Sequence, residues 1–176
     1  MNKDIARLQL IAERFSKIGS APELTEQDVC PIVQRVGAYF RHRTSSRVTI
    51  TVSVPPQAVT ARVNAPLLEW VFENLCKNAI DAMQGAGNLT LTLKESAIVE
   101  KRKRYLRVEV SDTGKGIAKN HFQRVFKPGF TTKRRGWGLG LSLAKRIVEE
   151  YHHGRIYVLA SEVGQGTTFA VDIEQC

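Results

Sequence analysis

A chain of 176 residues, 43% hydrophobic and 24% charged, has room for one principal domain and an appendage but not for two full cores. No apolar run approaches the roughly 18 residues a membrane span needs, and the opening MNKDIARLQLIAERF is broken by charges every few residues, which excludes a signal-peptide core and gives a cytoplasmic setting as the expectation. Cys30, Cys76 and Cys176 are odd in number and lack CxxC spacing, so they read as reduced thiols, and the formal charge of +9 suits nucleic acid, nucleotide phosphate or an acidic protein surface without choosing among them.

Residues 2–18 place Ile5, Leu8, Ala12 and Phe15 at alternating three- and four-residue steps, the stripe of a helix made for another helix, and Gly19, Ser20 and Pro22 stop it. A second helix is predicted from Thr25, with Asp28 three residues on as a weak capping box, through VCPIVQRVGAYFRHR despite Pro31. RVTITVSV, residues 47–54, alternates as a half-buried strand. Beyond Pro55-Pro56 a short strand is predicted around Val59 to Val63, and Asn64 and Pro66 then read as the cap and opening turn of a helix reaching about Met83, with Gly85 and Gly87 after it. Strands follow at Leu89 to Lys94 and Tyr105 to Ser111. The run Lys101 to Arg104 between them lacks interleaved aromatics and reads as a solvated hairpin loop rather than a strand-binding platform. Asp112 to Gly140 has no periodicity and is too long for a plain connector, so a lid over about Lys119 to Trp137 is expected. Leu141 to His153 is predicted as an amphipathic helix ended by Gly154, with His152 and His153 as dipole partners or surface residues; Arg155 to Ser161 and Thr167 to Ile173 are strands about the turn EVGQG.

The chemistry concentrates in four segments. In ENLCKNAIDAM, Asn74, Asn78 and Asp81 form one polar line at i, i+4 and i+7 on a helix whose Leu67, Val71, Leu75 and Ala79 are core, while Glu69, Glu73 and Lys77 form another. Amide and carboxylate oxygens in such a line suit a hard cation such as Mg²⁺, although asparagines also serve simply as bridges to neighbouring backbone. Strand VEVSD runs into Asp112-Thr-Gly114-Lys-Gly116-Ile117, where a carboxylate can accept from an exocyclic amine and two glycines let a flat ring approach the backbone. Gly136, Gly138, Leu139 and Gly140 lead into Leu141 and a helix start, offering N–H groups to phosphates; because they follow a loop rather than a strand, the dinucleotide fingerprint fails its context test. Gly164-Gln-Gly166-Thr167 alone is a tight hairpin turn.

Taken in order, these segments resemble the N, G1, G2 and G3 boxes of the GHKL, or Bergerat-fold, ATP-binding superfamily, and FQRVFKPGFTTK, Phe122 to Lys133, resembles the F box of histidine kinases. The resemblance covers about residues 60–175. It implies a two-layer α/β sandwich with a mixed sheet, ATP as ligand, and Mg²⁺ held by Asn78, with Asn74 and Asp81 beside it. It further implies that Asp112 receives the adenine amino group, with Gly114, Gly116, Ile117 and Thr167 around the base. The lid side then falls to Phe126, Thr132, Lys133, Arg134, Arg135, Gly136, Gly138, Leu139, Gly140 and Leu141. Asn78 and Lys133 are the expected catalytic pair, and Trp137 departs from the small or hydroxylated residue common in the family. Hydrolysing members carry a glutamate where this chain has Asn74, and an amide cannot take a proton from water, which favours phosphoryl transfer.

Residues 1–18 resemble the second helix of the dimerisation and histidine-phosphotransfer hairpin, especially of NtrB- and NtrY-like kinases. Residues 1–20 are therefore expected to be its remnant, and residues 21–176 the ATP-binding catalytic domain. No histidine here precedes an acidic residue, so the phosphoacceptor is expected on a helix before Met1. The expected partners are the histidine-containing dimerisation domain of the same kinase and a response regulator receiver domain. The full-length protein is expected to be a homodimer, with membrane anchoring left open, and no nucleic-acid partner is expected. Two alternatives remain at this stage: a free-standing serine kinase of anti-sigma-factor type, which gives no reason for the first helix, and a basic nucleic-acid-binding module, which leaves Asn78 and Asp112 idle.

Overall fold

The alternation in the predicted strands puts Val48 and Ile50, Leu89, Leu91 and Leu93, and Leu106, Val108 and Val110 on one side of their segments, and all eight are buried. The computed structural model describes residues 22–131 and 138–176, except for the side chains of residues 96–100. The helix expected over residues 2–18 and the cations Lys133, Arg134 and Arg135 lie outside the described residues, as do Thr132, Gly136 and Trp137.

In chain order the elements are β1 (Thr25–Asp28), α1 (Cys30–Arg41), β2 (Val48–Ser53), β3 (Thr60–Val63), α2 (Ala65–Ala82), β4 (Gly87–Glu100), β5 (Lys103–Asp112), two single 3₁₀ turns at Lys119–His121 and Arg124–Phe126, α3 (Gly140–Arg146) with a π turn at Ile147–Tyr151, β6 (Arg155–Glu162) and β7 (Gly166–Glu174). Five strands form one mixed sheet in the order β2-β4-β5-β7-β6; β2 runs parallel to β4 and the other pairings are antiparallel. The inward residues of the sheet share one apolar core with those of the helices, so this is the expected two-layer α/β sandwich. β1 and β3 make a separate antiparallel ribbon. The chain's end joins it: Cys176 N–H donates to Thr60 O at 2.9 Å.

Helix α2 forms as its sequence asks. Asn64 Oδ1 accepts the Leu67 N–H at 3.2 Å, Pro66 stands in the first turn where its missing N–H costs nothing, and Leu68, Val71, Phe72 and Leu75 are wholly buried. Glu69 on its outer side meets Arg35 of α1 at 3.5 Å.

Four expectations are corrected. Thr25 opens a strand rather than a helix, because Thr25 to Asp28 pair with Val63 to Thr60; the helix begins at Cys30 with Pro31 in its first turn, and Asp28 Oδ1 accepts both the Cys30 N–H (3.0 Å) and the Val59 N–H (3.1 Å). The basic run is divided: Lys101 and Arg102 make the hairpin turn in the left-handed region (φ 51° and 65°), while Lys103 and Arg104 belong to β5, and Lys103 pairs with Glu174 at 2.9 Å. The helix expected over Leu141 to His153 passes at Ile147 into a π turn, in which the His152 N–H reaches back to Ile147 O at 3.2 Å. His152 is not a surface residue, being 4% exposed.

Candidate functional site

On α2, Asn74 and Asn78 lie one turn apart and half-buried, and the Asn78 amide nitrogen donates to Asn74 Oδ1 at 3.1 Å. That bond sets which end of the Asn78 amide faces Asn74 and turns its oxygen the other way. Asp81 follows a turn later and is exposed. Gly140, the first residue of α3, sits against this pair: a Cβ there would stand 2.5 Å from Asn74 Nδ2. A side chain at residue 140 would have to displace the Asn74 amide, so a glycine lets the G2 segment meet the N-box amides.

β5 ends at Asp112, whose side chain is 7% exposed and whose Oδ1 accepts N–H groups from Gly114 (2.8 Å) and Thr167 (3.3 Å). Burial pushes its carboxyl above the usual aspartate range, and the two N–H bonds offset this only in part. The chain then crosses between two other elements. Lys115 N–H donates to Ala82 O at the end of α2 (3.1 Å), while Lys115 O accepts the Gly164 N–H of the β6–β7 turn (2.7 Å). Gly114 and Gly116 owe their identity to this crossing. A Cβ at Gly114 would come within 2.7 Å of the Ala82 carbonyl, and one at Gly116, where φ is 76°, would enter the backbone of Glu162. The sequence-level reason, room for a flat ring, gives way to a nearer one, the chain's contact with itself.

Ser161 closes the far side. Its Oγ accepts the Ile117 N–H at 2.7 Å, lies 2.8 Å from Thr167 Oγ1 and donates to Gly166 O at 3.0 Å. The single hydroxyl proton goes to Gly166 O, so Thr167 donates its own to Ser161. A hollow of about 340 Å³ opens here, lined by Asp112, Ser161, Gln165 and Thr167 among others. Sequence reasoning passed over Ser161, since one serine at a strand end carries no distinguishing pattern. It also passed over Thr113, whose Oγ1 accepts the Asn88 N–H at 3.0 Å and ties the loop to β4.

Of the remaining candidates, Phe126 is buried edge-on against Phe169 with ring centroids 6.0 Å apart, so it acts through packing. Leu139 is 52% exposed, and Leu141 is half-buried against the core. Gly138 (φ 64°) packs on Gly129, and Gly129 N–H donates to Gly138 O at 3.0 Å, joining the two ends of the segment that carries Thr132 to Gly136.

His152 was missed as a structural residue. Its Nε2 accepts the Asn64 N–H at 3.1 Å and its Nδ1–H donates to Ile147 O at 2.9 Å, fixing a neutral tautomer that ties the start of α2 to the π turn after α3. Desolvation holds its pKa below the ordinary value of 6.5. Among the described residues no cluster of three or more His, Cys, Asp or Glu side chains is set to hold a metal, so a cation here would depend on amide oxygen and ligand phosphates. No helix among the described residues is long and apolar enough to cross a membrane.

Residues 63–175 match the model of the histidine kinase-, DNA gyrase B-, and HSP90-like ATPase family. Sensor histidine kinase ZraS of Salmonella typhimurium is 38% identical over 97% of this chain and 36% of its own length, and sporulation kinase E of Bacillus subtilis is 39% identical over 60% of this chain and 13% of its own. This chain therefore spans about a third or less of these relatives. The catalytic domain of histidine kinase ThkA superposes with a TM-score of 0.75 at 25% identity, covering 88% of this chain and 99% of that one. The chain belongs to the histidine kinase-, DNA gyrase B-, and HSP90-like ATPase family, and within it is an ATP-binding catalytic domain of the sensor histidine kinase kind.

Proposed function

We propose that this domain binds ATP with Mg²⁺ between α2, the Asp112–Ile117 loop and the start of α3, and that it transfers the γ-phosphoryl group to a histidine outside the described residues. The observation that carries the reading is the juxtaposition at Gly140: the bare backbone of the G2 helix lies on Asn74, which holds the Asn78 amide with its oxygen turned away. The donor set fits the ligand. Asp112 offers a buried carboxylate to an exocyclic amine, and Asn78 offers an oxygen to a hard cation. Mg²⁺, when bound, would neutralise charge on the transferring phosphoryl group. Asn78 would hold it, Asp112 would orient the base, and Lys133, Arg134 and Arg135 would face the phosphates. Gly114, Gly116, Ile117 and Thr167 keep their proposed place around the base; Asp81, Thr132, Gly136, Gly138, Leu139 and Leu141 keep theirs along the metal and phosphates.

Asn74 separates transfer from hydrolysis, because no carboxylate stands there to take a proton from water. The acceptor is proposed to be an imidazole nitrogen on a dimerisation hairpin, whose second helix residues 1–20 would continue, with 21–176 as the catalytic domain. The NtrB- or NtrY-like subtype rests on that helix. ThkA has been solved with response regulator protein TrrA, and a receiver domain of that kind is the proposed next recipient. The test is to supply a hairpin carrying the upstream histidine in trans with radiolabelled ATP. Acid-labile, base-stable label on the hairpin, and none on the domain, is the expected result; stable phosphoserine on another protein would favour an anti-sigma-factor type of kinase, and rapid hydrolysis without labelled protein would refute transfer.

A further inference from the structure

The sheet has two edges, and the chain treats them differently. At β2 the Arg41 guanidinium reaches over from α1 and its Nε–H donates to Ile50 O at 3.2 Å, so a side chain occupies that edge. At β6 the ladder partner among the described residues is β7 alone. Exposed edges are ordinarily guarded by lysine, proline, inward charge or a bulge. Ile156 to Ala160 contains no charge and no proline, and the bulge between Val158 and Ala160 comes only after Ile156, Tyr157 and Val158 have run straight. Leu159 in the bulge and Val163 in the turn after β6, 40% and 68% exposed, continue the apolar character.

A hollow of about 780 Å³ runs along that straight segment, with the Phe122–Pro128 stretch and Lys145 of α3 among its lining. Its floor is apolar, since Ile156, Val158 and Phe126 are buried there. Lys127 and Lys145 stand in the lining with no carboxylate among the lining residues; Glu149 answers Lys145 only at 3.8 Å between half-exposed groups, a pair of little strength in water. Tyr157, between Ile156 and Val158 in the strand, turns its side chain to the other face of the sheet, where its OH donates to Asp172 at 2.9 Å. Gly140 on the same helix faces Asn74, and Lys145 lies about 140° farther round, so the hollow flanks α3 away from the proposed nucleotide site.

We propose that the β6 edge and this hollow take an extended acidic segment of a partner protein as an added strand, main chain pairing along Ile156 to Val158, one bulky apolar side chain in the hollow, and carboxylates against Lys127 and Lys145. Charge selects the occupant. A second copy would set the same two lysines against themselves, and residues 1–21 bring Lys3, Arg7, Arg14 and Lys17 against Asp4 and Glu13. An acidic partner answers both the local lysines and the formal charge of +9.

The test uses the 176-residue chain and fluorescence anisotropy with a labelled peptide of alternating Glu and Val around a central Phe. Saturable binding is expected, weakened by at least about tenfold in the Lys127→Glu/Lys145→Glu variant and by N-methylation of one of the two alternate sets of peptide amides. The N-methyl arm needs no altered protein, so it stands even if the double variant folds poorly. No saturable binding at millimolar peptide, equal binding of a Lys-for-Glu peptide, or indifference to both N-methyl sets would overturn the proposal. Self-association of the chain that the double variant relieves would also overturn it, by giving the edge to a second copy.

Discussion

The Asp112–Ile117 loop and the corner between α1 and β2 are both places where the chain passes very close to itself, and they are held by different means. In the corner the hold is side chain on side chain: Gly37 of α1 takes the Val52 methyl group against its Cα, with Val36, Phe40 and Ile50 around it. In the loop the hold is backbone on backbone, through Lys115 to Ala82 and to Gly164 and through Gly116 on Glu162, with the Asp112 carboxylate and the Ser161 hydroxyl as ties. A corner packed by side chains presents a largely apolar surface, with the Arg41 guanidinium on Ile50 O as a polar tie. A loop fixed through its backbone can point Asp112 at a ligand without moving when the ligand arrives, which is the preorganisation that selective binding needs.

Methyl groups added at the two places should separate the two kinds of hold most sharply. Gly116→Ala meets a fixed carbonyl at a positive φ, combining backbone strain with overpacking, and should cost about 2–5 kcal/mol in urea unfolding. Gly37→Ala meets only the end of a Val52 side chain and gains up to about 1 kcal/mol of helix propensity, so its net effect should stay within about 1 kcal/mol. Equal losses at the two sites would show that the loop is no more rigidly held than the corner.

Next in size are effects on nucleotide binding, which should arise from the loop and α2 and not from the corner. Asp112→Ala removes the proposed acceptor of the base and should weaken ATP binding by about 1–3 kcal/mol in calorimetry. Because burial raises the Asp112 carboxyl above the ordinary range, affinity in the parent chain should begin to fall, as pH is lowered, before an ordinary aspartate would protonate. Asn78→Ala should weaken binding with Mg²⁺ present and change little in EDTA; an equal loss in both would make this asparagine a structural bridge to Asn74.

Much of this was legible in the residues. Alternation gave the inward faces of β2, β4 and β5, and Asn64 with Pro66 gave the start of α2, because each signal is local and periodic. Thr25 to Asp28 misled because a four-residue strand has too few alternations to outweigh a cap-like Asp28, and what makes it a strand is β3, more than thirty residues away. The order of the boxes located the candidate site. The reason for its glycines was not legible, since the atoms they avoid belong to Ala82 and Glu162, distant in sequence. Ser161 and His152 escaped for the same reason, their partners being set by the fold.

His152 belongs to neither region; it joins the start of α2 to the π turn after α3, and it gives the smallest predicted effect. Its neutral ring accepts from Asn64 at the start of α2 and donates to Ile147 after α3, so the relative placement of the two helices that meet at Gly140 depends in part on it. Protonation would put a second donor opposite the Asn64 N–H and break that bond. Its folded pKa lies below the ordinary 6.5, so between the two values the unfolded chain binds a proton that the folded one refuses. The stability this group contributes is therefore complete above about pH 6.5 and drains away as pH falls toward the folded pKa. Asp112 has the opposite sign. Its raised pKa makes the folded state the better proton acceptor, so acid relieves the cost of burying its charge and cannot account for a loss. His153 lies next to His152 and lowers its pKa by repulsion, so replacing His153 should raise the folded pKa slightly toward 6.5 and narrow the window without abolishing it. His152→Gln removes the titration while keeping a polar side chain, and should cost about 1 kcal/mol at neutral pH. Below pH 6.5 the denaturation midpoint of this variant should fall more gently than the parent's, so that the two curves converge under acid conditions. Parallel curves through that range would mean that His152 holds the helices by its shape alone, and that its neutral state plays no part in joining them.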